Sequence, residues 1–197
     1  AAGHTVDYKI MPWERAVNSV REGKFDCVVG AYVEDAPDFK YPKESWGMDS
    51  TGFFSQTSST WSFSNYDSLL SEKVGVISGY AYGEEIDELA KSRPDVFKSA
   101  SGNDALEKNL KKLTNNRLSI VVESVAVGNA KIKEMNLQGQ LKLAGTDPLK
   151  EPIYIACSPA KGSSDQYIKL IDDGTKQLRA SGRLKAILDK YGLSDWQ

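Results

Sequence analysis

Short runs of β-branched and aromatic residues alternate with amphipathic helical stretches along most of the chain, and this alternation restricts the possible folds more than any other feature. Residues 5–11 alternate like a strand, Pro12 suits the first turn of a helix through Arg21, and residues 25–30 form the next strand. Strand, helix and strand in this order are typical of the parallel crossover unit. The sequence therefore predicts an α/β fold.

A second set of alternating elements follows residues 56–60, which are rich in small hydroxyl residues and typical of a linker. Strands are predicted near residues 73–78, 96–97, 120–122 and 141–143. Helices are predicted over residues 84–92, from a cap at Asn103 through residue 113, and over 125–135. These elements form a self-contained α/β lobe.

The last elements have no lobe of their own, so we expect them to pack on the first one. Residues 151–156 are strand-like, and the remainder is helical. The sequence therefore predicts a discontinuous first lobe at 1–55 and 152–197 and a second lobe at 61–145. The two hinge crossings between them are predicted at 56–60 and 146–151. Two crossings between lobes make a hinge with a cleft beside it.

The charge balance disfavours nucleic acid as a partner. The chain holds 25 Lys and Arg against 27 Asp and Glu, a net charge of -2, and no predicted element carries a basic stripe. No apolar run approaches the ~20 residues that span a bilayer. Residues 1–4 also lack the charged-then-apolar pattern of a signal peptide. We expect the chain as given to be soluble, and removal of a leader is compatible with this sequence.

Few residues are suited to catalytic or metal chemistry. His4 is the only histidine, so a Ser–His or Cys–His nucleophile system cannot readily be assembled. No Cys/His cluster has metal-binding spacing, and no glycine-rich phosphate motif occurs. The sequence therefore predicts no catalytic residue, no metal and no cofactor. Cys27 and Cys157 lie inside apolar strand-like runs, which favours buried free thiols, with an inter-strand disulfide as the alternative.

Five segments, in order along the chain, resemble the family 3 bacterial extracellular solute-binding proteins, the polar amino-acid type that serves ABC importers. The first joins PWERA at 12–16 to GKFDCVV at 23–29; the others are 53–54 with 61 and 67–69, 74–80, 117–123 and 178–192. The resemblance implies a two-lobed, periplasmic-binding-protein-like fold of type II with a hinge. It also implies capture of a small polar ligand outside the cytoplasm, in the periplasm or extracellular space, with a membrane permease as partner.

The chain departs from the family pattern in two places. The family opens with a strand and a helix before the segment that residues 5–11 resemble, and that strand is central in its sheet. We therefore expect an exposed apolar edge, or exchange of elements between chains in a homo-oligomer. The family also carries an arginine for the ligand carboxylate in the segment equivalent to 33–39, where this chain has none. An ordinary α-amino-acid ligand is therefore in question.

Side chains that follow the predicted strands are the candidates for ligand contact, because ligands of open α/β sheets bind at the carboxyl ends of strands. Trp13 and Arg15 follow the first strand and offer an aromatic face and a charged fork. Their structural alternatives are helix packing and a surface ion pair through Glu14. Tyr32 follows the second strand and is the third candidate.

Tyr80 and Tyr82 lie in the turn 79–83, whose backbone N–H groups could bind an anion. Glu84 and Glu85 in the following helical turn oppose that role, and the alternative is a flexible turn with two packing tyrosines.

Glu123 follows the strand at 120–122, where the resembling family often places an acidic residue for a cationic group. A helix cap is its alternative role.

Two other functions remain open from the sequence. The same fold serves as the sensory input domain of membrane receptors, and the resembling family includes a cyclohexadienyl dehydratase. Glu123 would be the acid of such an enzyme, and a raised pKa beside a cationic clamp would favour that function. Ligand capture for import is the function that we expect.

Overall fold

The computed structural model describes residues 3–191 and 193–197; Ala1, Ala2 and Gly192, the last residue of the 178–192 motif, lie outside the described residues. The strands are β1 (Cys27–Ala31), β2 (Gly47–Asp49), β3 (Thr51–Gln56), β4 (Val74–Ile77), β5 (Phe97–Ala100), β6 (Ile120–Ser124), β7 (Leu141–Thr146) and β8 (Glu151–Cys157). The helices are α1 (Trp13–Arg21), α2 (Glu84–Ser92), α3 (Ala105–Thr114), α4 (Val125–Glu134), α5 (Ser164–Ala180) and α6 (Arg183–Leu188). In this described part, none of the helices has the length and apolar character that a bilayer crossing requires.

The first lobe is built on a three-stranded antiparallel sheet in the order β1-β8-β2. Helix α1 packs on β1 and α5 packs on β8. The core between them is small, with Val17 and Val20 of α1 buried against Val28 and Ala156 of the sheet. Helix α1 begins after Pro12 and ends before Gly23, whose φ of 74° suits a residue without Cβ.

The second lobe is built on a five-stranded sheet in the order β5-β4-β6-β3-β7. β4 is parallel to β5 and β6, whereas β3 is antiparallel to β6 and β7. A hydrophobic core covers each face of this sheet. Because successive side chains of a strand point to opposite faces, β3 places Phe53 in one core and Phe54 in the other, and both are fully buried. Most predicted elements of this lobe are confirmed, although Asp104 rather than Asn103 precedes α3 as its cap residue.

The first crossing between the sheets lies at Ser50, between β2 and β3. This differs from the predicted crossing at 56–60, because β3 pairs with β6 and β7 and so belongs to the second lobe. The hydroxyl-rich residues that follow β3 lie within that lobe, where Thr57 N–H donates to Gln140 O at 2.8 Å. The second crossing joins β7 to β8 through residues 147–150.

The strand predicted over residues 5–11 does not pair with another strand. Val6, Tyr8 and Ile10 are 82%, 65% and 78% exposed, and Val29 of β1 is 40% exposed. A strand needs a neighbour to satisfy its backbone groups, and β1 has only β8 beside it in the three-stranded sheet. The parallel crossover expected from residues 5–30 is therefore absent from the described residues, and apolar side chains stand exposed there.

Cys27 and Cys157 form a disulfide, which corrects the prediction of free thiols. The physical reason is the antiparallel pairing of β1 with β8, which sets these two residues directly opposite each other. The bond joins positions 130 residues apart in the sequence. It therefore closes a loop that contains the whole second lobe.

Gly128 in α4 provides a test of the packing between α4 and β3. A Cβ at this position would lie 2.3 Å from Cζ of the fully buried Phe54, and the ring has little room to move. We expect Gly128→Ala to lower the free energy of unfolding by about 2 kcal/mol, as overpacked cores do. Gly174→Ala in α5 is the matched control, because its Cβ would meet nothing within 4 Å.

The control substitution should raise the unfolding free energy by about 0.5–1 kcal/mol, because alanine favours the helix over glycine. Urea unfolding of both variants measures the two changes. Equal stabilisation by both substitutions would contradict the described contact between Gly128 and Phe54.

Candidate functional site

A narrow cavity lies where the two crossings approach the loop after β4. Its lining comes from both lobes and includes Tyr32, Asp49, Thr51, Tyr66, Ala81, Tyr82, Gly83, Glu85, Asp147, Leu149 and Glu151. The cavity measures about 20 Å³, which is room for about one water molecule. The lobes must therefore separate before a molecule the size of an amino acid can enter.

Asp49 organises the crossing between β2 and β3. Its carboxylate accepts hydrogen bonds from the Tyr32 hydroxyl at 2.6 Å and from the Ser124 hydroxyl at 2.7 Å. Tyr32 belongs to the first lobe and Ser124 ends β6 of the second lobe, so Asp49 ties both lobes to the crossing. Burial and then the hydrogen bond to Asp49 raise the pKa of Tyr32.

Asp147 has the corresponding position in the second crossing. Its carboxylate accepts hydrogen bonds from the Tyr66 hydroxyl at 2.7 Å and from the Leu149 N–H at 2.9 Å. The Ser50 hydroxyl of the first crossing donates to Asp147 O at 3.3 Å. The two crossings therefore lie side by side, with a carboxylate in each.

Asp35 follows β1 in the first lobe and lies near the loop after β4. Its carboxylate accepts hydrogen bonds from the Tyr32 N–H at 2.9 Å and from the Trp13 indole N–H at 3.3 Å, both within the first lobe. The Ala81 N–H of the second lobe lies near enough to lower the pKa of this carboxyl. Burial raises the pKa of Asp35, and these three N–H groups oppose the increase.

Aromatic rings complete the contact between the lobes. Trp13 of α1 meets Tyr80 edge-to-face with ring centroids 6.0 Å apart, and Tyr80 lies 5.9 Å from Tyr82. Gly79 lies so close to α1 that a Cβ there would be 3.2 Å from Cβ of Glu14. The turn 79–83 is thus held against the start of α1.

Two backbone N–H groups of this turn already have acceptors. Tyr82 N–H donates to Asp87 at 3.1 Å, and Tyr80 N–H donates to Ile77 O at 3.3 Å. The Tyr82 hydroxyl in turn accepts the Ile77 N–H at 2.8 Å and is buried. The Asp87 carboxylate therefore occupies one donor that could otherwise bind an anionic ligand.

Glu123 lies at the end of β6 and is only 3% exposed. Its Oε1 accepts the Ser124 N–H at 2.9 Å, while its Oε2 has no hydrogen-bond partner among the described residues. Burial, and then the charge of Asp49, raise the pKa of Glu123 to about 7. Ser124, whose hydroxyl accepts the Val127 N–H, serves as the helix cap that was the alternative role for Glu123.

The structure brings five of the six candidate side chains to the region where the lobes meet. Tyr32 and Tyr82 line the cavity, Trp13 and Tyr80 form the aromatic contact beside it, and β6 pairs Glu123 with Gly52, next to Thr51 of the lining. Arg15 is not among the residues around the cavity. It is exposed and borders a shallow groove along α1.

Sequence reasoning missed most of the acidic residues of the cleft. Asp35 could have been found, because it follows β1 as Tyr32 does and the rule of strand ends applies to both. Asp49, Asp147 and Glu151 carried no local signal, because the cleft forms only once the two crossings are known.

The cleft carries negative charge without a neutralising cation. Asp35, Asp49, Glu123, Asp147 and Glu151 have no ion-pair partner within residues 3–191 and 193–197. The residues that line the cavity include no lysine, arginine or histidine. Across the same described residues, no three acidic, histidine or cysteine side chains are grouped in a way that could hold a metal ion.

The chain is similar in structure to several solved binding proteins. An ancestral arginine-binding protein bound to arginine has 22% sequence identity, with 96% of this chain and 81% of that chain covered and a TM-score of 0.78. An amino acid ABC transporter substrate-binding protein from Streptococcus pneumoniae, bound to L-arginine, has 16% identity over 91% of this chain and 73% of that chain, with a TM-score of 0.70.

A histidine kinase sensor domain with similarity to periplasmic binding proteins is a third solved neighbour. It has 17% identity over 91% of this chain and 75% of that chain, with a TM-score of 0.71. No protein-family model and no curated protein sequence matches the chain. The structural likeness shows that the chain has a two-lobed, periplasmic-binding-protein-like fold.

Proposed function

We propose that this protein captures a small polar molecule, amino-acid-like or a related organic compound, between its lobes outside the cytoplasm and delivers it to an ABC permease. The observation that carries the proposal is the cleft at the crossings, where Tyr32 of the first lobe and Tyr82 of the second line one cavity and Trp13 meets Tyr80. A ligand that contacts both lobes would stabilise the closed arrangement through contacts that the open arrangement lacks.

The fold and the ligands of its neighbours support this proposal. Two of the solved neighbours are bound to arginine, and one of them is the substrate-binding component of an ABC transporter. Membership of the family 3 solute-binding proteins is part of the proposal, since the five sequence segments and the structural likeness agree. The disulfide between Cys27 and Cys157 supports an extracytoplasmic location, because disulfides persist in oxidising compartments.

A thermal-shift screen of amino acids, amines and organic acids tests ligand capture directly. A compound that binds only the folded state stabilises it by about 2.7 kcal/mol at 100 times its Kd. For a chain of this size we expect the unfolding midpoint to rise by about 5–10 °C. Arginine belongs in the screen because two neighbours hold it. No shift with any compound of the three classes would contradict the proposed function.

A sensory input domain is the second candidate function, and the histidine kinase sensor domain among the solved neighbours favours it. Both functions need ligand capture, so the cell fraction in which the native protein is recovered distinguishes them. Recovery as a free polypeptide in the extracytoplasmic extract supports transport. Recovery only in membranes, as part of a longer receptor, supports sensing.

An enzyme resembling cyclohexadienyl dehydratase is the third candidate, and part of the site agrees with it. Burial raises the pKa of Glu123 to about 7, as a general acid needs. An acidic substrate also needs a cationic clamp, and no lysine, arginine or histidine lines the cavity. We therefore propose a binding protein without catalytic activity, and turnover of a prephenate-like acid by the purified protein would overturn this part of the proposal.

A further inference from the structure

The cleft concentrates negative charge that the protein does not neutralise. Asp49, Asp147 and Glu151 line the cavity, and Asp35 and Glu123 lie beside it. Burial raises the pKa of Glu151, and the charges of neighbouring carboxylates raise it further. Like charges at close range destabilise one another. A positively charged ligand would remove this repulsion, so the charge distribution favours a cation.

The same cleft opposes a ligand carboxylate. In the turn 79–83, the Tyr82 N–H donates to Asp87 at 3.1 Å, and the Ala81 N–H lies near the Asp35 carboxylate. A carboxylate entering here would have to displace a carboxylate of the protein from its donors. It would also meet the negative charges of the cleft without any lysine, arginine or histidine in the lining.

Glu123 indicates what kind of cation would fit. Its Oε2 has no hydrogen-bond partner among the described residues, although the side chain is almost fully buried. It lies at the cleft, because β6 pairs Glu123 with Gly52, the neighbour of Thr51 in the cavity lining, and the next residue, Ser124, donates its hydroxyl to Asp49. A buried carboxylate oxygen requires a donor. The cation should therefore carry N–H groups, which a quaternary ammonium lacks.

A metal ion would be the other positively charged occupant, and the geometry does not favour one. No group of three potential ligands in the described part of the chain is arranged to hold a metal ion. The rings of Trp13, Tyr80 and Tyr82 lie together at the cleft instead. Aromatic faces attract organic cations through the ring quadrupole.

We propose that the cleft binds a small organic cation with ammonium or guanidinium N–H groups and no carboxylate, held by Glu123 and selected against carboxylates by Asp35. The inference rests on the proposed function, since it names the ligand class of the same cleft.

Isothermal titration calorimetry with two matched pairs of probes tests the inference on the full chain. Agmatine differs from arginine, and cadaverine from lysine, only by the absence of the carboxylate. We expect the decarboxylated member of at least one pair to bind at least 10-fold more tightly than its amino acid at pH 8. Tetramethylammonium, a cation without any hydrogen-bond donor, and choline, whose only donor is its hydroxyl, should each bind at least 10-fold more weakly than the better of the two amines.

The outcomes separate the inference from the proposed function. Equal or tighter binding of the amino acids overturns the cation inference but leaves ligand capture in place. If neither amine binds but another compound of the thermal-shift screen does, the cation inference is also overturned while ligand capture stays in place. Tighter binding of tetramethylammonium or choline than of both amines overturns the assignment of an N–H donor to Glu123. If no probe binds and no screened compound shifts the unfolding midpoint, both proposals are overturned.

Three substitutions test the roles of the two carboxylates. Glu123→Gln should raise the Kd for the better amine at least 10-fold, because the variant lacks the charge that faces the ligand. Asp35→Asn should lower the ratio of the amino-acid Kd to the amine Kd at least 5-fold. Glu88→Gln, exposed on α2, is the control and should change neither quantity. An unchanged ratio in a folded Asp35→Asn variant would contradict the selecting role of Asp35.

Discussion

Removal of the disulfide by the double substitution Cys27→Ala and Cys157→Ala is expected to lower the free energy of unfolding by about 4 kcal/mol. The bond closes a loop of 130 residues that includes the whole second lobe. A cross-link between such distant positions restricts the unfolded chain strongly, and the chain-entropy relation gives about 5 kcal/mol for a loop of this length. Urea unfolding of the variant and the wild type measures the difference.

The single substitutions distinguish the cross-link from local packing. Because either cysteine alone cannot form the bond, Cys27→Ala and Cys157→Ala should each cause most of the loss seen in the double variant. If each cysteine contributed only through its local packing, the stability losses of the two single variants would add up to the loss of the double variant. Reduction of the wild type should reproduce the loss. Additive single effects, or a wild type insensitive to reductant, would contradict this role of the disulfide.

Replacement of Glu123 by Gln should make the protein more stable at pH 8, by about 3 kcal/mol, with no gain at pH 4. The pKa of the Glu123 carboxyl is raised from 4.5 to about 7 by burial and by Asp49. The folded state therefore holds its proton more tightly than the unfolded state does. As pH rises from about 4.5 to about 7, the unfolded chain loses this proton first and stability falls.

Below about pH 4.5 both states are protonated and above about pH 7 both are ionised, so the loss is confined to that window. Unfolding free energies of the wild type and of Glu123→Gln, measured from pH 4 to pH 8, give the comparison. Glu88→Gln on the exposed face of α2 is the control and should follow the wild type. A constant difference between Glu123→Gln and the wild type across this range would contradict the raised pKa.

The sequence predicts the second lobe well because its signals are local. Apolar residues at helical spacing identify α3, and continuous apolar runs identify β4 and β6 before any tertiary contact is considered. Sheet membership is different, because strand pairing depends on distant residues. β3 was expected in the first lobe, yet Phe53 and Phe54 are buried on opposite faces of the second sheet. Residues 5–11 alternate between apolar and polar side chains as a strand does, but they pair with no strand in the described part of the chain.

The site was predictable to the extent that it follows the ends of strands. The end of a strand predicted Tyr32 and Tyr82, which line the cavity, whereas Arg15 shows that sequence proximity to a strand end does not fix the direction of a side chain on a helix. The charge of the cleft was not predictable from local patterns. It arises because two crossings, distant in sequence, bring Asp49 and Asp147 to one cavity.

Closure of the lobes around a ligand is the central claim, and a distance between the lobes tests it most directly. Spin labels on Asn18 of α1 and Lys91 of α2, both exposed, report on the first and second lobes. They can be attached through non-natural residues, because Cys27 and Cys157 are bonded. With the most strongly binding compound of the thermal-shift screen, we expect a broad distance distribution to become shorter and narrower. A distribution that stays unchanged while calorimetry shows saturation would contradict the account.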